Sequence, residues 1–233
     1  MKLSIVVPVF NEEKTILQIL ERLKKADISV PYEIIVVDDG STDSTREKLK
    51  TVRNVKIILH KNNQGKGAAV KTGIKNATGD YILIQDADLE YNPDEIKGLL
   101  KPILENKAKV VYGTRLNRVP HLKKEEAKHL FIIHYFGNRF LSLVTSALYG
   151  QWLTDMETCY KLFPKKAVSS IRLNARGFEF EPEVTAKLLK QGYKIKEVSI
   201  TTNPRGYDEG KKLNTIRDGS IALWSLVKYR FTN

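Results

Sequence analysis

The chain has 233 residues, of which 42% are hydrophobic and 28% are charged, so it is long enough to bury a substantial core as one large domain. The single cysteine excludes an internal disulfide framework and fits a reducing compartment. Lysine and arginine exceed aspartate and glutamate by 39 to 27, which gives a net charge of +12. This charge would attract nucleic acid, an anionic membrane or a phosphorylated substrate, and a Lys-rich solvated surface would also explain it.

The N-terminal segment 1–8 becomes polar too early for a signal peptide. No segment contains the roughly 18 uncharged apolar residues that a transmembrane helix needs. The closest is 130–154, which Arg139 interrupts and basic residues flank. This pattern favours a pair of core helices, and it also suits a helix that lies in a membrane interface.

Short apolar segments rich in β-branched residues alternate with amphipathic segments in the first half of the chain. The predicted strands are 3–9, 33–37, 55–59 and 81–85, and the predicted helices are 12–25, 44–52, 66–77 and a segment that begins at Asn92. Asn11 and Ser41 are the predicted N-caps of the first two helices. Continuous apolar strands between helices predict an α/β fold, in which a mostly parallel central sheet carries helices on both faces.

The alternation is looser in the second half, where the predicted strands are 109–113, 159–163 and 194–201 and the predicted helices are 181–190 and 215–229. No internal repeat, low-complexity tract or linker interrupts the chain. We therefore expect a single domain over 1–233, built from the halves 1–115 and 116–233. Trp152 and Cys159 are expected in the core, and Trp224 at an interface.

Acidic loops follow three of the predicted strands, at 8–13, 38–41 and 86–90. Because ligands of an open α/β sheet bind where its strands end, we expect these loops to share one rim. Asp86 and Asp88 stand two residues apart, so strand geometry would point both carboxylates to the same side. Two such carboxylates repel unless a cation lies between them, and oxygen ligands favour Mg²⁺ or Mn²⁺ together with a diphosphate. Solvated or helix-capping acids are the alternative explanation.

Two common nucleotide-binding motifs are missing from the sequence. No G-x-G-x-x-G follows the first strand, and Gly65-Lys66-Gly67 lacks the spacing and the Ser or Thr of a P-loop. The sequence therefore argues against a dinucleotide dehydrogenase and against a P-loop phosphotransferase.

Four motifs occur in order along the first half: Val6-Val-Pro-Val-Phe-Asn-Glu-Glu13, Val36-Val-Asp-Asp-Gly-Ser-Thr-Asp43, Gly79-Asp-Tyr leading into Asp86-Ala-Asp88, and Tyr112-Gly-Thr-Arg115. Together they resemble the family 2 glycosyltransferases. In the second half, 154–161 and 177–181 are similar to the branch of that family that glycosylates polyprenyl phosphates, which includes dolichyl-phosphate mannose and glucose synthases.

The resemblance implies a GT-A fold with a Rossmann-like N-terminal half, in which 1–115 binds a nucleotide-sugar and 116–233 binds the acceptor. It implies inverting, metal-dependent transfer of a hexose from a donor of GDP-mannose or UDP-glucose type to a polyprenyl or dolichyl phosphate. Mg²⁺ or Mn²⁺ would be the cofactor. A sugar hydroxyl as the acceptor is the alternative within the family.

Residue roles follow from the same resemblance. Six residues would contact the nucleoside part of the donor: Pro8, Phe10, Glu12, Asp39, Asp86 and Ala87. Of these, Asp39 would accept a hydrogen bond from the base, and Asp86 would contact either the ribose or the metal. Asp88 would ligate the metal beside Asp86. Glu90 stands where some relatives place a third ligand, so its role is left open.

The remaining predicted site residues act on the phosphates. Arg115, Arg205 and Lys211 match basic positions that contact the donor diphosphate, with a solvated basic face as the alternative for Lys211. Asp155 would serve as a base toward a hydroxyl acceptor. It would otherwise position the acceptor or a basic side chain, because a phosphate acceptor is already ionised and needs no base. The candidate catalytic residues are thus Asp88, Arg115 and Asp155.

A lipid-phosphate acceptor implies a peripheral enzyme at the cytoplasmic face of the membrane. The candidate contacts are 130–148 and 221–231, where Trp224, Tyr229, Lys228 and Arg230 suit the headgroup region. A homodimer or a separate membrane partner is left open.

Two other classes of protein fit less well. A sugar-nucleotide pyrophosphorylase would carry a Gly-rich phosphate loop where this chain has 8–12. A nucleic-acid-binding module would use the +12 charge, but the acidic rim would repel a phosphate backbone, so no nucleic-acid partner is expected.

Overall fold

A computed structural model describes residues 1–116, 129–203 and 215–232. Within those ranges the chain forms seven strands and eight α-helices, with a short 3₁₀ helix before the fourth α-helix. In chain order they are β1 (Leu3–Val9), α1 (Ile16–Lys25), β2 (Tyr32–Asp38), α2 (Thr45–Lys50), β3 (Lys56–Leu59), α3 (Lys66–Asn76), β4 (Tyr81–Ile84), the 3₁₀ helix (Pro93–Glu95), α4 (Ile96–Leu104), β5 (Val110–Thr114), α5 (His129–Tyr149), β6 (Lys161–Pro164), α6 (Lys165–Ser169), α7 (Phe180–Lys190), β7 (Ile195–Ser199) and α8 (Thr215–Phe231).

The strands form one sheet in the order β3-β2-β1-β4-β6-β5-β7. The first three pairs run parallel, with Leu3 opposite Tyr32 and Val9 opposite Asp38 in the β1–β2 pair. β6 runs antiparallel to both of its neighbours, β4 and β5, while β5 and β7 are parallel. β6 is therefore reversed, and the residues that precede it lie at the edge where β4 and β5 end.

Apolar side chains of successive strand residues fill a core on each face of the sheet. Ile5 and Val7 pack with α1 and α4 on one face, whereas Val6 packs with α3 and α7 on the other. This alternation follows from the two-residue period of a strand, and it buries β1 completely between two helical layers. The predicted mostly parallel sheet with helices on both faces is confirmed.

The helices α5 and α8 form a separate small cluster outside the two main cores. Leu141, Met156, Ala222 and Leu226 are its buried members, and the Tyr149 hydroxyl donates to the carbonyl of Leu226 at 2.7 Å. None of the helices in the described ranges is long and apolar enough to cross a membrane. The predicted helix pair within 130–154 is instead the single helix α5.

Two of three side-chain predictions in this region, those for Trp152 and Tyr229, are wrong. Trp152, expected in the core, is 61% exposed and stacks against Arg139, whose guanidinium carbon lies 5.3 Å from the ring centroid. Trp224 is 66% exposed, in agreement with an interface position. Tyr229, expected at a lipid headgroup layer, is buried against Lys187 instead.

The strand predictions agree with the structure to within two residues at each end, but two predicted helix caps are wrong. α1 begins after Thr15 and α2 after Ser44, not after Asn11 and Ser41. The latter two residues join their loops to each other: the Asn11 amide donates to the Ser41 hydroxyl at 2.9 Å, and the Thr42 amide donates to the Asn11 side chain at 2.8 Å. These bonds hold together the loops that follow β1 and β2.

The start of α3 is fixed by a close backbone contact with the loop before α7. The amides of Gly67 and Ala68 donate to the carbonyls of Gly177 and Arg176 at 3.1 and 3.0 Å. Gly65 has a φ of +96°, and a Cβ there would lie 2.3 Å from the Arg176 carbonyl oxygen. Only glycine meets both conditions, so Gly65 sets where the first turn of α3 lies.

We expect Gly65→Ala to lower the free energy of unfolding by about 1–3 kcal/mol or more, because it combines backbone strain with a steric clash. Gly98→Ala is the matched control, since Gly98 is an exposed residue inside α4 with no neighbour within 4 Å of the new methyl group. That change should raise stability by about 0.5–1 kcal/mol. Urea unfolding of the three proteins measures both effects, and equal stabilities for Gly65→Ala and wild type would show that this contact adjusts freely.

Candidate active site

The predicted rim exists at the carboxyl edge of the sheet. Five segments meet there: the loops that follow β1, β2, β4 and β5, and the segment 157–160 that enters β6. The Tyr160 hydroxyl lies 2.6 Å from the side-chain oxygen of Gln85 and 3.0 Å from the carbonyl of Asn92. It therefore fixes both ends of the acidic loop after β4.

The two aspartates of this loop do not lie on a strand. β4 ends at Ile84, and Asp86 and Asp88 lie in the turn that follows, on either side of the buried Ala87. Asp86 Oδ1 is 2.8 Å from Lys66 Nζ, while Asp88 Oδ1 accepts the Glu90 amide at 3.1 Å. The expectation that strand alternation aligns the two carboxylates is therefore wrong, and local contacts set their directions.

Lys66, in the first turn of α3, is a nearly buried cation with three polar neighbours. Its ammonium lies 2.8 Å from Asp86, 3.3 Å from Glu181 Oε1 and 2.9 Å from Cys159 Sγ. Burial is the largest influence on the pKa of Lys66 and would lower it, but Asp86, Cys159 and Glu181 together raise this pKa well above its ordinary value. Burial would likewise raise the pKa of Asp86, but Lys66, Cys159 and Arg115 together lower it. Both groups are thus charged at neutral pH.

Arg115 and Asp155 form a second ion pair at the end of β5. Asp155 is fully buried, and its Oδ2 accepts from the backbone amide and Nε of Arg115 at 2.9 and 2.7 Å, while Oδ1 accepts from Nη2 at 2.8 Å. Burial would lower the pKa of Arg115, and the Asp155 charge raises it well above its ordinary value. The pair fixes the guanidinium group at the rim.

A third group of ionisable side chains lies beside these pairs. The Lys161 ammonium donates to the Met156 carbonyl at 2.5 Å and lies 4.1 Å from the Tyr112 ring centroid, and burial lowers its pKa to about 8. Burial, followed by the charge of Glu181, raises the pKa of Glu157 to about 7. Within the described residues, both carboxylate oxygens of Glu181 and Oε1 of Glu157 are buried without a hydrogen-bond donor.

The acidic loop after β2 holds its two carboxylates differently. Asp39 accepts from the amides of Gln64 and Gly65 at 3.0 and 2.7 Å and lies 2.6 Å from the His60 ring. Asp38 Oδ2 accepts from Arg46 at 2.6 Å, but its buried Oδ1 has no donor in the described part of the chain. Asp38 therefore carries the unfilled acceptor in this loop, although the sequence singled out Asp39.

The structure places most of the predicted site residues on this one rim, as far as it describes them. Pro8 is the residue before the last of β1, and Phe10 and Glu12 lie in the loop that follows. Arg205 and Lys211 lie outside the described residues. No group of three or more His, Cys, Asp and Glu side chains in the described ranges is arranged to hold a metal, and this includes Asp86, Asp88 and Glu90. The roles assigned to these residues stay predictions.

Sequence reasoning missed four residues that the structure adds to the rim: Lys66, Glu157, Cys159 and Glu181. Cys159 was expected in the core, yet its Sγ accepts a hydrogen bond from the Lys66 ammonium at 2.9 Å. The reversed direction of β6 brings Glu157 and Cys159 to this edge. A lysine between two glycines at a helix start was the available signal for Lys66, since the glycines permit the close approach that buries it.

The raised pKa of Glu157 gives a pH-dependent prediction. Because its pKa rises from 4.5 to about 7 on folding, ionisation of Glu157 opposes folding increasingly between those pH values. The free energy of unfolding of Glu157→Gln, taken relative to wild type, should therefore be about 2–3 kcal/mol higher at pH 8.5 than at pH 5. Denaturant unfolding at both pH values measures the gain.

The control for this prediction is Glu105→Gln, at an exposed pair with Lys107 that lowers the pKa of Glu105. Because Glu105 titrates below pH 5, the stability of Glu105→Gln relative to wild type should be the same at pH 5 and pH 8.5. A Glu157→Gln variant that behaves like this control would contradict the buried, proton-holding state of Glu157.

Comparison with known proteins identifies relatives over nearly the whole chain. An uncharacterised protein of Methanocaldococcus jannaschii is 33% identical over 231 residues, which are 97% of this chain and 91% of that protein. The UDP-N-acetylglucosamine–dolichyl-phosphate N-acetylglucosaminyltransferase of Methanococcus voltae is 30% identical over 91% of this chain and 90% of its own length. The dolichol-phosphate mannosyltransferase of Pyrococcus furiosus is 29% identical over 98% of this chain, which spans 64% of that enzyme.

Solved structures confirm the GT-A fold. The glucosyl-3-phosphoglycerate synthase of Mycobacterium tuberculosis, in complex with Mn²⁺ and UDP-glucose, has a TM-score of 0.75 at 19% sequence identity, over 98% of this chain and 78% of that one. At that identity the likeness concerns the fold. The model of the family described as Glycosyl transferase family 2 matches residues 4–172, and the chain therefore belongs to this family and is a glycosyltransferase.

Proposed function

We propose that this glycosyltransferase moves a hexose from a nucleotide-sugar of GDP-mannose or UDP-glucose type to a polyprenyl or dolichyl phosphate, with inversion at the anomeric carbon. The observation that carries the proposal is the arrangement of charges at the rim. Asp86 of the acidic turn Asp86-Ala87-Asp88 pairs with one fixed cation, Lys66, and the charge of a second, Arg115, also helps to lower its pKa. Carboxylates for a metal and cations for phosphates are the two sets of groups that a departing diphosphate requires.

The relatives support a lipid phosphate as the acceptor. The names of the Methanococcus voltae and Pyrococcus furiosus enzymes both specify a dolichyl-phosphate acceptor, although they specify different sugars. We therefore propose the acceptor class from these relatives and leave the base and the sugar of the donor open.

The residues of the acidic turn fit Mg²⁺ or Mn²⁺. Asp86 is held as a carboxylate by Lys66, and Asp88 supplies a second carboxylate two residues later. Magnesium is usually bound by one or two carboxylates together with substrate phosphates, so the lack of a three-residue protein cage in the described ranges agrees with this mode. When bound, the cation would stabilise the negative charge of the departing diphosphate as a Lewis acid.

The geometry of Asp155 favours a phosphate over a hydroxyl acceptor. Both of its oxygens accept hydrogen bonds from Arg115, and the side chain is fully buried, so Asp155 is poorly placed to take a proton from a hydroxyl group. An ionised phosphate needs no base. One of its oxygens would form the new bond to the anomeric carbon while the bond from that carbon to the diphosphate oxygen breaks, and the nucleoside diphosphate leaves. Asp155 then acts by positioning Arg115 beside the phosphates.

The nucleobase would bind at the loop after β2. Asp39 remains the residue proposed from the resemblance, but Asp38 competes for this role because its Oδ1 lacks a donor in the described part of the chain. Asp39 is already bound by His60, Gln64 and Gly65, so it also orders the loop before α3. Nucleotide affinities of Asp38→Asn and Asp39→Asn would distinguish the two.

We expect Mn²⁺-dependent binding of a UDP- or GDP-sugar, seen as a rise in melting temperature, because a ligand that binds only the folded state stabilises it. Asp88→Asn should abolish the Mn²⁺-dependent part of this rise and lower turnover by about 10²–10³-fold, the typical loss for one group that stabilises transition-state charge. Asp94→Asn makes the same change at an exposed position six residues away and should behave as wild type. Full activity of Asp88→Asn, or full activity of wild type in EDTA, would refute the metal assignment.

Exposed apolar side chains on α5 and α8 support a location at the membrane surface. Phe136, Phe140 and Leu143 lie along one stripe of α5, and Trp224 and Phe231 are exposed on α8, which packs beside it. A lipid phosphate keeps its chain in the bilayer, so the enzyme has to reach the headgroup layer, and aromatic side chains suit that layer. We propose the cytoplasmic face, because the lone thiol fits a reducing compartment.

We expect salt-sensitive binding to anionic liposomes, since each basic residue near such a surface adds about 1 kcal/mol. Charge reversal at Arg139 should weaken it, as should reversal at Lys123 and Lys124, which lie outside the described residues. The double variant Phe140→Ser, Trp224→Ser should float with fewer vesicles, whereas Leu17→Ser, at an exposed apolar residue of α1, should float like wild type. A protein that stays in the soluble fraction at low salt would contradict the membrane location.

A further inference from the structure

The structure leaves one nearly buried carboxylate of the rim without hydrogen-bond donors. Glu181, in the first turn of α7, is 3% exposed, and neither of its oxygens accepts a hydrogen bond within the described residues. Its ion pair with Lys66, at 3.3 Å, is the longer of the two carboxylate contacts that this ammonium makes. A buried carboxylate normally accepts several hydrogen bonds, and an unfilled one is costly.

Glu183, two residues later on the same helix, shows that this segment can satisfy a buried carboxylate. Glu183 accepts from the amides of Asn174 and Ala175 at 2.8 and 2.6 Å, and its ion pair with Lys187 spans 2.8 Å. The contrast between the two glutamates places the unfilled oxygens specifically on the side chain that approaches the rim.

The position of Glu181 connects it to the acidic turn. Lys66 Nζ lies between Glu181 Oε1 and Asp86 Oδ1, at 3.3 and 2.8 Å, so the two carboxylates share one cation. Glu157 also has a buried oxygen without a donor in the described part of the chain, and burial, followed by the charge of Glu181, raises its pKa. Three buried oxygens that accept no hydrogen bond in the described part of the chain, one of them ion-paired with Lys66, therefore belong to two interacting carboxyl groups, Glu181 and Glu157.

The chemistry of these groups restricts the ligand. An anion would be repelled by Glu181, and Lys66 already pairs with Glu181 Oε1 at 3.3 Å, so a ligand has to supply donors without adding charge. Neutral hydroxyl groups donate hydrogen bonds without adding charge, and a sugar carries several of them close together. A sugar attached to a diphosphate at the acidic turn would bring those hydroxyls to Glu181.

We propose that Glu181, together with Glu157, forms the subsite that accepts hydrogen bonds from hydroxyl groups of the donor sugar. This inference rests on the proposed function and deepens it by assigning recognition of the sugar, as distinct from that of the nucleotide. Lys66 is the positioning residue, since its ammonium pairs with Glu181 and ties it to Asp86. Sites built to bind a hydroxyl discriminate strongly against analogues that lack it, because the acceptor is then left unfilled.

The test compares nucleotides with and without a sugar. Calorimetric titrations in Mn²⁺ would use UDP, UDP-glucose and UDP-N-acetylglucosamine, together with GDP and GDP-mannose. The comparison uses whichever nucleotides, those of uracil or those of guanine, bind to wild type. Glu181→Gln should lower affinity for the sugar-nucleotide about tenfold or more, and its affinity for the nucleoside diphosphate should stay within twofold of wild type. Glu105→Gln, the same change at an exposed ion pair, should alter neither affinity.

A second measurement needs no variant. The ligands are deoxy donors, in which one hydroxyl of the sugar is replaced by hydrogen. For at least one position of the sugar, wild type should bind the deoxy donor at least tenfold more weakly than the parent donor. In Glu181→Gln this difference in affinity should be much smaller. Deoxy donors that all bind wild type within twofold of the parent would overturn the subsite, as would equal losses for nucleotide and sugar-nucleotide in Glu181→Gln. If wild type binds neither UDP nor GDP, the proposed function itself is overturned and the subsite with it.

Discussion

The rim of this enzyme depends on one buried cation, the ammonium of Lys66. It lies within 3.3 Å of Asp86 and Glu181 and within 2.9 Å of the Cys159 sulfur, so three distant parts of the chain meet at a single charge. Without it, two carboxylates would be left near each other in a region of low dielectric, and removal of one partner from such a group typically costs about 3–5 kcal/mol. The ammonium can occupy this place because Gly65 and Gly67 let the start of α3 approach the loop before α7.

Strand direction explains why the rest of the rim assembles around that cation. β6 runs against its neighbours, so the residues entering it, and not those leaving it, reach the carboxyl edge of the sheet. Glu157 and Cys159 thereby join Asp86 and Arg115, although they precede a strand where the others follow one. An all-parallel sheet would have placed them at the opposite edge, far from the acidic turn.

These two features also mark how far the sequence could predict the structure. Apolar runs such as 3–9 and 81–84 are local signals, and they located the strands, the acidic loops and the family motifs. The direction of β6 and the partners of Lys66 depend on contacts between residues about 20 to 115 positions apart, which leave no periodic pattern. Asn11 and Ser41 show the same limit, because two residues that suit a helix cap were used to join two loops. Cys159 is a small, mostly apolar residue whose thiol became informative only once Asp86 lay beside it.

The positive and negative groups at the rim restrict the kind of anion that the net positive charge of the chain can serve to bind there. A net charge of +12 would attract any polyanion, yet the described part of the rim carries Asp86, Asp155 and Glu181 as well as Lys66, Arg115 and Lys161. A long phosphate backbone would meet several of these carboxylates, whereas a single diphosphate can lie against the fixed cations with a metal between it and Asp86 and Asp88. The pairing of carboxylates with fixed cations at the rim therefore favours one small phosphorylated ligand over a polymer, and the excess of positive charge elsewhere is left to act on an anionic surface at long range.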